Sequence, residues 1–187
     1  MMSQSENPSN PWTTLEKKVI YDNPWIHVEE HQVINAAGNP GIYGVVSFKN
    51  YAIGIIPVDN EGNTWLIGQH RYPFDLYTWE IPEGGGSIKE SPLENAKREL
   101  AEEAGLIADK WELIQEMQVS NSVTNEYAFI FLAQDLHPTP PNPDEDEALV
   151  IKKLHITEAY TMVDKGEILD SLTVVALLRA RVLGIGM

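Results

Sequence analysis

Residues 84–106 read GGGSIKESPLENAKRELAEEAGL, and this stretch constrains the chain more than any other. Ser91, Pro92 and Glu94 open a helix as a capping box. The Ser91 hydroxyl accepts from a backbone N–H, proline takes the first helical position and Glu94 reaches back. Gly105 stands where a helix ends in a left-handed residue. Between the caps, Leu93, Ala96, Leu100 and Ala104 share one face at helical spacing and are expected to enter a core. Glu99, Glu102 and Glu103 share the opposite face.

Glu99 and Glu103 are like charges one turn apart, repelling by about 0.2–0.5 kcal/mol even when exposed. A hard divalent cation removes that cost, because Mg²⁺ binds carboxylate oxygens and keeps waters for substrate and nucleophile. Three glutamates on a helix face, taken alone, describe a solvated surface rather than a metal site. Gly84–Gly86 are expected to form a turn where backbone approaches a metal or phosphate closely.

The 187 residues suffice for one substantial domain with an extension. A net charge of -15 argues against nucleic-acid or anionic-membrane binding, and an acidic chain that handles a polyphosphate needs cations. Cysteine is absent, which removes disulfides, thiolate metal sites and a thiol nucleophile. The histidines show no metal spacing. Neither a membrane span nor a signal peptide is recognisable, so a cytoplasmic protein is expected.

Along the chain, residues 1–11 are polar and turn-rich and are expected to be a disordered tail. Strand-like segments at 13–21, 26–34 and 42–48 form a small separate sheet, giving an extension over 12–48 ahead of a main domain over 49–187. YAIGIIPVD (51–59) is nearly all apolar, as a buried central strand is, and Asn60–Asn63 turn the chain into a hairpin. Strands are expected at 111–119, 127–133 and through ALVIKKLHI. The stretch HPTPPNPDEDE (137–147) is too rich in proline for anything but a long loop. Helices are expected from Thr157 to near Gly166 and after Asp170. The order describes a mixed sheet between helices.

Gly84, Glu90, Arg98, Glu99, Glu102, Glu103 and Gly105, with aliphatic residues at 100 and 106, resemble the box of the Nudix hydrolase family at every fixed position. At average residue usage such a match arises by chance about once in 10⁸ starts. The resemblance implies an α/β fold, a Nudix-type α/β/α sandwich with a mixed sheet, here carrying the small N-terminal β-sheet extension. It implies Glu99 and Glu103 as principal metal ligands, Glu102 as an auxiliary one, and a backbone carbonyl near Glu83 as another. Glu90 and Arg98 correspond to a pair bracing loop against helix. The alternative for Arg98 is a surface ion pair with Glu102.

QHRYP (69–73), WEIPEGG (79–85), the N-terminal sheet and the C-terminal helices are similar to the ADP-ribose pyrophosphatase and nucleotide-sugar hydrolase branch. That likeness implies Mg²⁺, with Mn²⁺ as a substitute, and a small nucleotide substrate. It also implies a homodimer held through residues 12–48. Arg71 corresponds to a phosphate- or ribose-binding arginine, its alternative being a strand-end salt bridge. Glu126 corresponds to a substrate-binding loop glutamate. Trp25 corresponds to an aromatic that stacks on the base, its alternative being a hairpin packing residue. Glu145 and Glu147 match a Glu-x-Glu pair that supplies the general base and a further metal contact, whereas composition alone describes a solvated linker. The branch's Ser-Pro-Gly before the loop glutamate is replaced by Ser120, Asn121 and Ser122. Rival activities are hydrolysis of an oxidised nucleoside triphosphate or of capped RNA, and nucleotide-binding regulation without turnover.

Overall fold

The computed structural model describes residues 9–141 and 149–186. Its elements run β1 (Thr13–Asp22), β2 (Ile26–Ile34), β3 (Pro40–Phe48), β4 (Asn50–Pro57), β5 (Asn63–Arg71), β6 (Leu76–Glu80), β7 (Glu83–Ser87), α1 (Pro92–Ala104), β8 (Leu106–Gln118), β9 (Tyr127–Pro138), β10 (Val150–His155), α2 (Ile156–Asp164) and α3 (Ser171–Val182). The chain divides into two compact units. One holds the residues up to Lys49 with Ser120–Asn125, and the other holds Asn50–Val119 with the residues from Glu126 onward.

The first unit is an antiparallel meander, β1-β2-β3. Polar side chains close its turns. Asn23 Oδ1 accepts from the amides of Trp25 and Ile26, and Asn35 Oδ1 accepts from those of Ala37 and Asn39. The segment Ser120–Asn125 docks on β3, where Val46 N–H donates to Val123 and Phe48 N–H donates to Asn125 Oδ1 at 2.7 Å.

The second unit is a mixed α/β sandwich. Its four-stranded sheet runs β7-β4-β9-β8, with β4 and β9 parallel and the outer pairs antiparallel; β10-β5-β6 form a second, antiparallel sheet. Strand alternation sorts the core. Ile53 and Ile55 of β4, with Phe131 and Ala133 of β9, pack against Ala96, Leu100 and Ala104 of α1. Ile56, Ile130 and Leu132 point the other way, toward Ala159 and Met162 of α2 and Ala176, Leu177 and Ala180 of α3. Helix α1 therefore covers one face of the central sheet, and α2 with α3 cover the other. Each fully buried isoleucine adds about 1.5–3 kcal/mol. No helix among the described residues is long and apolar enough to cross a membrane.

Four expectations require correction. Gly84–Gly86 do not turn; they lie within β7 and pair with β4, Ile53 opposite Gly84. The β4 ladder recruits them because their missing side chains let α1 pack directly on that strand. The capping box is half formed: Ser91 Oγ accepts from Glu94 N–H at 3.2 Å, but the Glu94 carboxylate takes the Lys97 ammonium instead. β9 runs through His137 and Pro138, because Leu106 and Ile107 of β8 pair with them; residues expected in the long loop thus join the sheet edge. β8 likewise begins directly after α1, not at residue 111. The acidic run 144–147, with Glu145 and Glu147, lies outside the described residues.

Candidate active site

Helix α1 is fixed at both ends before any site chemistry is considered. Asn95, fully buried, donates to the carbonyls of Ser87 and Ser91 and accepts from Ser87 N–H at 3.0 Å, stapling the end of β7 to the first helical turn. At the other end Gly105 adopts φ 62°, and its N–H caps Leu100. A side chain there would be strained and would crowd the Thr139 carbonyl at 2.9 Å.

With the helix so placed, Glu99 and Glu103 are not on a solvated face. They are only 7% and 4% exposed, and their carboxylates face strand β7. Glu83 N–H donates to Glu103 Oε2 at 2.8 Å. A Cβ built on Gly84 would lie 2.5 Å from Glu99 Oε2, so a side chain there would force the Glu99 carboxylate to shift. Burying two carboxylates is unfavourable unless cations or donors meet them. Arg98 supplies part of the compensation, donating to Glu99 at 2.6 Å, to Glu102 and to the Gly85 carbonyl. Glu90 is exposed and is not among the partners of Arg98, so the expected brace between Glu90 and Arg98 is replaced by one from Arg98 to the β7 backbone. Of the two readings of Arg98, the ion pair with Glu102 forms. Glu102 keeps about a third of its side chain in solvent.

Arg71, the last residue of β5, forms the strand-end salt bridge. Its Nε donates to Glu80 at 2.9 and 3.0 Å, and its Nη2 donates to Glu80 and, at 2.8 Å, to Glu83. Burial opposes the guanidinium's charge, but the Glu80 hydrogen bond and the charges of Glu83 and Glu80 offset it, leaving the pKa above its ordinary value. Its Nη1 makes no hydrogen bond among the described residues, so the anchoring leaves one edge of the fork for an anion. Glu80 is 1% exposed and is also bonded by Thr78 and Gln69. The sequence reading passed over Glu80, although an acid between Trp79 and Ile81 in a half-buried strand is itself a signal.

Glu126 directly precedes β9 and is half-buried, and burial pushes its pKa up. Trp25, at the β1–β2 turn of the other unit, is 66% exposed; its ring does not pack into the hairpin. Ser120–Asn125, the segment lacking Pro and Gly, is held by β3 and by Tyr43, whose hydroxyl donates to the Ser122 carbonyl.

A model of the NUDIX domain matches residues 49–172. The chain belongs to the Nudix family. A model of the nucleoside diphosphate sugar hydrolase N-terminal domain matches residues 12–46. The chain is 30% identical over 166 residues to the ADP-ribose pyrophosphatase of Bacillus subtilis (strain 168), covering 88% of this chain and 89% of that protein. It is 29% identical over 130 residues to the ADP-ribose pyrophosphatase of Mycobacterium tuberculosis, covering 68% of this chain but 63% of that protein, so the match spans under two thirds of the relative's length. A crystal structure of an ADP compounds hydrolase superposes with a TM-score of 0.83 at 22% identity, covering 92% of this chain and 93% of that one, which establishes the fold.

Nudix hydrolases use divalent metals, and the residues present suit one. Glu99 and Glu103 are hard oxygen donors held side by side in low exposure, under a glycine where a side chain would force Glu99 to shift.

Proposed function

We propose that this Nudix protein is a cytoplasmic, homodimeric enzyme that hydrolyses the pyrophosphate bond of ADP-ribose or a related nucleoside diphosphate sugar. Water adds to one phosphorus, the bridging P–O bond breaks, and a nucleoside monophosphate and a sugar phosphate leave. The observation that carries the reading is the buried pair Glu99–Glu103 beneath Gly84, in a chain whose residues 12–46 match a nucleoside diphosphate sugar hydrolase N-terminal domain. The printed activities of the two pyrophosphatase relatives support the same substrate class.

Glu99 and Glu103 would hold Mg²⁺, or Mn²⁺, with Glu102, Glu147 and the Glu83 carbonyl as further ligands. A bound divalent cation neutralises the diphosphate and lowers the pKa of water. Arg98 keeps Glu99 and Glu102 oriented and ties them to β7. Arg71, held by Glu80 and Glu83, presents its remaining edge to a phosphate or ribose oxygen. Glu126 and Trp25 bind substrate, the indole by stacking on the base. Glu145 takes the proton from the attacking water.

The test is a screen of nucleoside diphosphate sugars, ADP-ribose included, for monophosphate release with and without Mg²⁺. Metal-dependent release, with ¹⁸O from solvent in one product, supports the reading. Tight nucleotide binding with no turnover would show a regulator instead.

A further inference from the structure

The glutamates of α1 are not the only buried acids among the described residues. On the other side of the central sheet, where α3 begins, one oxygen each from Glu80, Glu83 and Asp170 lie within 4.8 Å of one another. Glu80 is buried, and the Glu83 side chain is nine-tenths buried. Asp170 caps α3, its Oδ2 accepting from Thr173 N–H at 2.7 Å.

An acidic cluster alone is no site, but this one contains an orphan. Glu83 Oε1 accepts from Arg71, whereas Glu83 Oε2 is fully buried and has no hydrogen-bond partner among the described residues. Its neighbour in the cluster is the Asp170 carboxylate, and two carboxylates bond only if something positive stands between them. Arg71 contributes one positive charge and the α3 N-terminus about half of one, leaving a deficit of about one and a half charges. A shared proton removes one charge and serves two oxygens. A divalent cation removes the deficit and serves all three carboxylates. All donors are oxygens, which selects hard ions such as Mg²⁺, Mn²⁺ or Ca²⁺ over softer ones.

We propose that Glu80, Glu83 and Asp170 form a second binding site for a hard divalent cation, distinct from the Glu99–Glu103 pair. The ion ties β6 and β7 to the start of α3. Because Glu83 N–H also holds Glu103, the second site braces the strand on which the first depends. The proposal does not rest on the substrate class and is tested without substrate.

The experiment counts bound Mn²⁺ on the full chain by the loss of the free-ion EPR signal, alongside thermal unfolding. In the double variant Glu99→Gln/Glu103→Gln, one Mn²⁺ remains bound and raises Tm. Adding Asp170→Asn, which retains the helix cap because asparagine caps as well as aspartate, weakens that binding tenfold or more and removes the Tm rise. Glu83→Gln does the same without touching the cap. If the double variant binds no Mn²⁺ up to about 10 mM, beyond the weakest protein cation sites, a shared proton occupies the cluster and the proposal fails. It fails equally if Mn²⁺ binds but neither Asp170→Asn nor Glu83→Gln weakens it.

Discussion

Strands β4 and β1 are both rich in apolar residues, yet they lead opposite lives. In β4, Ile53, Ile55 and Ile56 are wholly buried, sandwiched between α1 and the α2–α3 pair. In β1 every residue is exposed, including Leu15 at 63% and Val19 at 55%, and only one edge is hydrogen-bonded among the described residues. In the first unit Val33 is the one buried apolar side chain among the described residues. A three-stranded meander with so little fully buried apolar surface is marginal by itself. An exposed apolar strand with a bare edge also invites pairing. The covered unit holds its buried charges between packed layers, whereas β1 of the first unit leaves its side chains exposed.

The largest effects are expected where the covered unit holds its acids. Glu103→Gln should keep the fold by circular dichroism and lower kcat roughly a hundredfold or more, since even changes behind a metal ligand cost 10- to 100-fold. Wild-type turnover at limiting Mg²⁺ would mean that burial of this glutamate is structural. Glu145→Gln should lower kcat by roughly 10²–10⁴ with metal affinity nearly intact, while Glu147→Gln should raise the Mg²⁺ needed for half activity. Wild-type kinetics in both would reduce the acidic loop to a linker and send the search for a base to Glu102 and Glu126.

Stability should divide the strands as burial does. Ile55→Ala is expected to destabilise by about 2–5 kcal/mol in urea unfolding, and Val19→Ala by no more than about 0.5 kcal/mol at concentrations where the chain is monomeric. Equal losses would break the comparison. Val19→Lys should leave that monomer stability unchanged and raise the dimer dissociation constant in sedimentation equilibrium. A monomeric wild-type chain with full activity would remove the homodimer.

A smaller effect than the Ile55 loss is electrostatic and belongs to the covered unit's β4–β5 turn. Burial alone would raise the Asp59 pKa, but Lys153 at 2.8 Å and hydrogen bonds from Asn63 and Glu61 depress it from 3.8 to about 2. A depressed acid stabilises the fold above its unfolded pKa, and that contribution is lost as pH falls from about 4 toward 2. Asp59→Asn should therefore abolish about 1–2 kcal/mol of pH dependence in that window, allowing for partial solvent screening. A pH profile parallel to wild type would show that the turn's bonds carry no net stabilisation.

Much of this was legible in the chain because it is local. Ser91, Gly105 and Asp170 name helix ends through hydrogen bonds made within a few residues, and all three stand at the caps expected of them. The apolar run at 51–59 announces a strand covered on both faces by composition alone, and the box spacing identifies the family because Arg98, Glu99, Glu102 and Glu103 lie on one turn-periodic helix. What the sequence could not state depends on residues distant along the chain. Gly84–Gly86 became a strand only because β4 offered its edge. Arg98 turned from Glu90 to Gly85, and Glu80 met Arg71 and Asp170, through strand pairing and helix placement. Local caps and periodicities are short-range and survive in any fold, whereas the partner of a buried charge is whichever group the packed sheet and helices bring within about 3 Å of it.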